Sequence, residues 1–140
     1  MLRILIVDDS PTERLLIRRV LEGDTDIEVV AEAADGREAV DLAEQLEPDL
    51  ITMDVVMPDM DGVEATQRIL AIRPVPILLV TARSDSARIW NAFEVMRAGA
   101  LDVLGKPAGS GEAERAHWSG ELLRRVRMLS GLDLGHGDPT

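Results

Sequence analysis

Five short apolar runs, each followed by a stretch of helical periodicity, dominate this sequence and leave it few architectures. Arg3-Ile4-Leu5-Ile6-Val7 is nearly continuous in apolar, β-branched residues, as a strand buried on both faces of a parallel sheet must be. It stops at Asp8-Asp9. Ser10-Pro11-Thr12-Glu13 then joins a capping box, Ser at N-cap and Glu at N3, to a proline at the first helical position, so a helix starts there and runs to Gly23. The alternation repeats with strand Ile27 to Ala33, then a helix opened by Asp35-Gly36-Arg37-Glu38 that carries Ala39, Leu42, Ala43 and Leu46 on one face until Pro48. Strand Leu50 to Met53 precedes helix Val63 to Ile72, and strand Pro76 to Val80 precedes helix Ser84 to Arg97, closed by Gly99-Ala100. Strand Leu101 to Leu104 and helix Glu112 to Leu129, striped by Trp118, Leu122, Val126 and Leu129, complete the set. Parallel strands need crossovers, and right-handed crossovers cover both faces of the sheet, so the fold is α/β and doubly wound. Residues 1–130 form one domain, and 131–140, with three glycines and no periodicity, read as a flexible tail or the start of a linker.

Charge and composition remove several classes of function. Fifteen Lys+Arg against 26 Asp+Glu give a net charge of −11, which repels nucleic acid and anionic lipid. Neither is expected as a partner. With no cysteine, no basic segment ahead of an apolar one and no run of about 18 apolar residues, the cytoplasm is the expected compartment.

In doubly wound sheets, function gathers beyond the carboxyl ends of the strands. Asp8 and Asp9 follow the first strand here, Asp54 the third, Thr81 the fourth, and Lys106-Pro107 the fifth. Ser10 already takes the first helix cap and Asp61 is the better cap for the third helix, so the local backbone gives Asp8, Asp9 and Asp54 no task. Crowded carboxylates persist only if a cation neutralises them or some of their pKa values rise. Oxygen ligands without His or Cys favour a hard ion, Mg²⁺ being the usual one that leaves room for a phosphate. A cation, a carboxylate, a hydroxyl and an ammonium converging on one point are the parts of phosphoryl transfer, with Asp54 as nucleophile.

Val7-Asp8-Asp9-Ser10, Met53-Asp54-Val55-Val56-Met57-Pro58 with Met60-Asp61-Gly62, Thr81-Ala82 and Lys106-Pro107, in this order and each after its strand, resemble the receiver domains of two-component response regulators. The resemblance spans about Leu2 to Leu129 and implies a flavodoxin-like (CheY-like) sheet of order 2-1-3-4-5 with five helices. It implies that Asp54 accepts a phosphoryl group from a sensor histidine kinase, CheA-like in a chemotaxis setting, and that an output domain or target protein reads the result. It further implies that Asp9, Asp54 and the Val56 carbonyl hold Mg²⁺ directly and Asp8 through water. Thr81 and Lys106 would meet the phosphate, with a cis bond ahead of Pro107. The family's aromatic switch position holds Val103 here, and the two positions that tune acyl-phosphate lifetime hold Val56 and Arg83, which predicts slow hydrolysis.

Within that family, Ile27-Glu28-Val29-Val30 and Met96-Arg97-Ala98-Gly99-Ala100-Leu101-Asp102 are most similar to the regulatory domain of chemotaxis protein-glutamate methylesterases. No Gly-x-Ser-x-Gly turn is present, so the sequence itself carries no esterase and is expected to act as a receiver rather than a turnover enzyme. The alternatives are a regulatory fragment of such an esterase and an interaction module that works without phosphorylation. A P-loop fails because Pro107 stands where Ser or Thr must be, and a phosphohydrolase fails because the aspartates are adjacent rather than Asp-x-Asp. Trp90 is a candidate for a partner or homodimer surface made by the fourth helix, fifth strand and fifth helix. Trp118 reads as core, Met57 and Met60 as loop contacts near the site, and Arg124, Arg125 and Arg127 beside Glu121 as a solvated face.

Overall fold

The computed structural model describes residues 1–54, 60, 62–81, 96–105 and 111–131. They form β1 (Leu2–Val7), α1 (Pro11–Glu22), β2 (Ile27–Ala33), α2 (Gly36–Leu46), β3 (Leu50–Met53), α3 (Gly62–Ile72), β4 (Ile77–Thr81), β5 (Asp102–Gly105) and α4 (Glu112–Ser130). Residues 96–98 are helical and close at Gly99, whose φ of 127° suits glycine alone. The remainder of the helix expected over 84–97 lies outside the described residues, as do Val56, Arg83, Trp90, Lys106, Pro107 and 132–140.

The five strands are parallel in the order β2-β1-β3-β4-β5, as the resemblance implied. Each strand sends alternate side chains to opposite faces, and both faces are covered. Leu5, Val7, Ile51, Met53, Ile77 and Leu79 pack with Ala39, Ala43, Ala65 and Ile69 of α2 and α3. Ile4, Ile6, Leu50, Leu78, Val80 and Leu104 pack with Ile17 and Leu21 of α1 and Trp118, Leu122, Val126 and Leu129 of α4. Trp118 is core, as expected, while Met60 is buried in the first cluster rather than being a loose loop contact.

β2 departs from simple alternation. Ile4 pairs with Val29 but Leu5 pairs with Ala31, so Val30 is an extra residue, a bulge in a parallel ladder. Ile27 and Val29 therefore face α1 and α4, whereas Ala31 and Ala33 face the other core. The same change of parity puts Glu32 on the α1 side, where Arg14 and Arg18 pair with it.

Caps follow the sequence. Ser10 Oγ accepts from Glu13 N–H at 3.3 Å and Asp35 Oδ1 from Glu38 N–H at 2.8 Å. At the end of α2, Pro48 bars Glu47 from continuing the helix, so Glu47 turns out at φ 48° while Arg3 Nη1 donates to the Leu46 and Glu47 carbonyls.

The last turn of α4 reaches across to the loop before β2, where Arg127 pairs with Asp24. Asp24 is held below its ordinary range, first by the Asp26 N–H at 2.9 Å and then by Arg127. A depressed carboxyl contributes stability that is present above its unfolded-state pKa and is lost as pH falls through the folded value. Arg127→Ala is expected to raise the Asp24 pKa only part of the way back, because the backbone donor is the larger cause. An NMR titration of the Asp24 carboxyl checks this, and full return to the ordinary value overturns it.

Candidate functional site

Asp8 and Asp54 directly follow β1 and β3, which are neighbours paired through Val7 and Met53. The ladder extends one step into the loops: Asp8 N–H donates to Ala33 carbonyl at 3.0 Å and Asp54 N–H to Val7 carbonyl at 2.9 Å. Both backbones are thereby fixed, and both residues are only 1% exposed. Glu13, half-buried in the first turn of α1, joins them: ligand oxygens of Asp8, Glu13 and Asp54 all lie within 4.8 Å of one another.

The residues around Asp8 hold it closely. Its Oδ1 accepts the Ser10 N–H at 2.9 Å, so Asp8 does have a local backbone task, contrary to the sequence expectation. Its carbonyl accepts Arg14 Nη1 at 2.7 Å, and Arg14 Nε is in turn held by Glu32 Oε1 at 3.1 Å. The bulged edge strand thus supports the site through Glu32 and Arg14. Asp9 is exposed and lies outside the carboxylate group. Thr81 ends β4 on the same sheet edge, 4% exposed, and its Oγ1 has no hydrogen-bond partner among the described residues.

Sequence reasoning passed over Glu13. It read that side chain as the returning half of a capping box, but Ser10 N–H donates to Asp8 instead. An Asp two residues before an N-cap Ser was the available signal, because it can take that N–H in an Asx turn.

At the far side of the sheet, Val103 sits on edge strand β5 and is 36% exposed. Arg125 Nη1 donates to its carbonyl at 2.8 Å and to Asp102 Oδ2 at 2.9 Å, while Asp102 Oδ1 accepts the Val103 N–H at 2.8 Å. The cluster read as a solvated face is therefore partly tertiary: Arg125 ties α4 to β5, and only Arg124 stays within the helix, on Glu121. Trp90 and the expected fourth-helix part of that surface lie outside the described residues.

An all-oxygen set of three carboxylates, two of them fully buried, suits a hard divalent cation. Mg²⁺ fits this donor set, with Asp8, Glu13 and Asp54 the described side chains able to hold it. Next to such an ion, a strand-end carboxylate fixed by the sheet can attack an electrophilic phosphorus.

A doubly wound sheet with this order and a carboxylate cluster at the ends of β1 and β3 defines a class, and the comparisons agree. Residues 4–116 match the response regulator receiver domain family, and this chain belongs to it. More narrowly, it is 41% identical over 130 residues to the protein-glutamate methylesterase/protein-glutamine glutaminase of Nitrosospira multiformis, a match covering 93% of this chain and 37% of that protein. The chain thus spans well under half the length of the curated relatives it matches.

Among solved structures, the response regulator domain of Thermotoga maritima CheB superposes with TM-score 0.82 at 34% identity, over 95% of this chain and 98% of that one. CheY6 of R. sphaeroides, solved in complex with the P1 domain of CheA3, gives TM-score 0.75 at 34% identity over 94% and 98%. The receiver domain of histidine kinase PA1611 of Pseudomonas aeruginosa, solved with a magnesium ion in its active-site cleft, gives 0.76 at 32% over 94% and 98%. Among the described residues of this chain, no helix is long and apolar enough to cross a membrane.

Proposed function

We propose that Asp54 is a phosphoacceptor, charged by a histidine kinase in a Mg²⁺-dependent reaction, and that the phosphorylated domain changes its affinity for an output domain or target protein. The observation that carries this is the Asp54 carboxylate itself. It is 1% exposed at a strand end, fixed by the ladder bond to Val7 and grouped with Asp8 and Glu13. An Asp54 oxygen forms the new P–O bond as the P–N bond to the donor's imidazole breaks, and the leaving nitrogen takes a proton from solvent. The bound Mg²⁺ supplies positive charge that offsets the phosphoryl oxygens. Asp9 and the Val56 carbonyl, with Asp8 acting through water, complete the proposed ligand set, and Thr81 and Lys106 are the proposed donors to the phosphate. The CheA3 P1 complex of a similar protein supports the kinase as partner, and the magnesium-bound relative supports the ion.

The partial coverage of methylesterase relatives favours a second reading of context. This receiver belongs either to the regulatory part of such an esterase or to a free-standing regulator with a cytoplasmic role, and the chemistry at Asp54 is the same in both. With Val103 in place of an aromatic switch, the surface of β5, α4 and Trp90 remains the proposed partner and homodimer face.

The test is intact mass spectrometry after incubation with Mg²⁺ and a small phosphodonor. One hydroxylamine-labile phosphoryl group, mapped to Asp54 and persisting for minutes as Val56 and Arg83 predict, is the expected result. No adduct while Mg²⁺ still binds would replace this reading with a module that signals by contact.

A further inference from the structure

We infer that Glu13 is a carboxylate of the cation site beyond Asp8, Asp9 and Asp54 and sets how tightly, and with what preference, the site holds a divalent ion. This rests on the reading of the site as a cation-dependent phosphoacceptor.

The first support is the redistribution of bonds at the start of α1. Glu13 occupies N3, where a glutamate ordinarily turns back to the N-cap N–H. Here its own N–H still donates to Ser10 Oγ at 3.3 Å, but the Ser10 N–H donates to Asp8 Oδ1 at 2.9 Å. Half of the capping box is made by the neighbouring loop aspartate, and the Glu13 carboxylate stands with Asp8 and Asp54, ligand oxygens within 4.8 Å. Glu13 is half-buried and α1 is anchored there by Pro11 and the Ser10 cap, so the side chain enters from a fixed backbone.

The second support is the setting. Asp8 and Asp54 are 1% exposed, and on the adjacent strand end the buried Thr81 Oγ1 has no hydrogen-bond partner among the described residues. In such a water-poor corner each added carboxylate acts strongly on a cation. Mg²⁺ is usually held by one or two carboxylates and keeps several waters, whereas Ca²⁺ takes six to eight oxygens, and its affinity rises with the ligand charge count. The added carboxylate of Glu13 therefore tightens Mg²⁺ and helps Ca²⁺ more.

Calorimetric titration of the native chain, Glu13→Gln and Asp54→Asn with Mg²⁺ and with Ca²⁺ tests this. Glu13→Gln, which keeps size and helix propensity, is expected to weaken Mg²⁺ about tenfold and Ca²⁺ by more. Unchanged Mg²⁺ affinity in a folded Glu13→Gln protein overturns the inference. Should that variant fail to fold by circular dichroism, Glu13→Asp, with the charge kept and the reach shortened, is read against the same two outcomes. The phosphoacceptor reading is scored separately by mass: a native chain that takes no phosphoryl group while Glu13→Gln still loses cation affinity sinks that reading and leaves the present one standing.

Discussion

Asp54→Asn is expected to cut formation of the labile phosphoryl adduct by more than about a thousandfold and, without a cation, to raise the melting temperature rather than lower it. The first effect follows from chemistry. The amide cannot form an acyl phosphate, and the other buried strand-end carboxylate, Asp8, has its Oδ1 engaged by the Ser10 N–H at 2.9 Å. The second follows from electrostatics. Asn is isosteric, so packing at the end of β3 is kept, while one negative charge leaves a group whose oxygens lie within 4.8 Å. At an effective dielectric near 20, a like-charge pair at such a distance costs roughly 3 kcal/mol before counter-charges are considered, so the relief is measurable. On the proposed reading Mg²⁺ would neutralise the same repulsion and bind the native site better than the variant, so the gain is expected to shrink or reverse as Mg²⁺ saturates. Thermal melts with and without Mg²⁺ check the sign. A variant that melts below the native chain in chelator would show Asp54 acting as a structural hydrogen-bonding residue instead.

The elements were legible in the sequence because the inner strands β1, β3 and β4 are buried on both faces and so spell nearly continuous apolar runs, and because Ser10 with Pro11, Asp35 and Pro48 mark helix ends chemically. The boundaries of β4 and β5 came out one residue late, since Pro76 and Leu101 lend one backbone bond each, to Ile51 and Ile77, without entering the strands. The bulge at Val30 was not legible. Val29 and Val30 look alike in sequence, and only the pairing with Ile4 and Leu5 shows which is extra. The same holds at the site: Asp8 and Asp54 stand out because strands end on them, whereas Glu13 carries a local signature that names a different task. Arg125 was hidden for a related reason, its partner Asp102 being 23 residues away and on another element.

Gly36→Ala is expected to destabilise the fold by about 1 kcal/mol net, although the same substitution normally strengthens a helix. Glycine costs a helix interior about 1 kcal/mol relative to alanine, so propensity alone predicts a gain. At Gly36, the first residue of α2, the added Cβ would stand 2.5 Å from the Met60 carbonyl oxygen and 2.9 Å from Met60 Cβ. Backbone cannot rotate away as a flexible side chain does, and Met60 is itself packed in the core of α2 and α3, so the collision is relieved only by moving a helix or the loop. Overpacking of this kind costs roughly 1–3 kcal/mol and outweighs the propensity term. For a chain of this size the net loss lowers Tm by about 3 °C. Met60 lies between Asp54, the proposed phosphoacceptor, and α3 in the chain, and phosphorylation well below Tm is expected to slow as well. Gly120 supplies the internal control. It is exposed in the middle of α4 with nothing within 4 Å of an added Cβ, so Gly120→Ala should stabilise by up to about 1 kcal/mol. Two identical substitutions moving Tm in opposite directions would isolate the Gly36–Met60 contact as the cause, and a Gly36→Ala melt at or above the native value would remove that contact from any account of how Met60 is held.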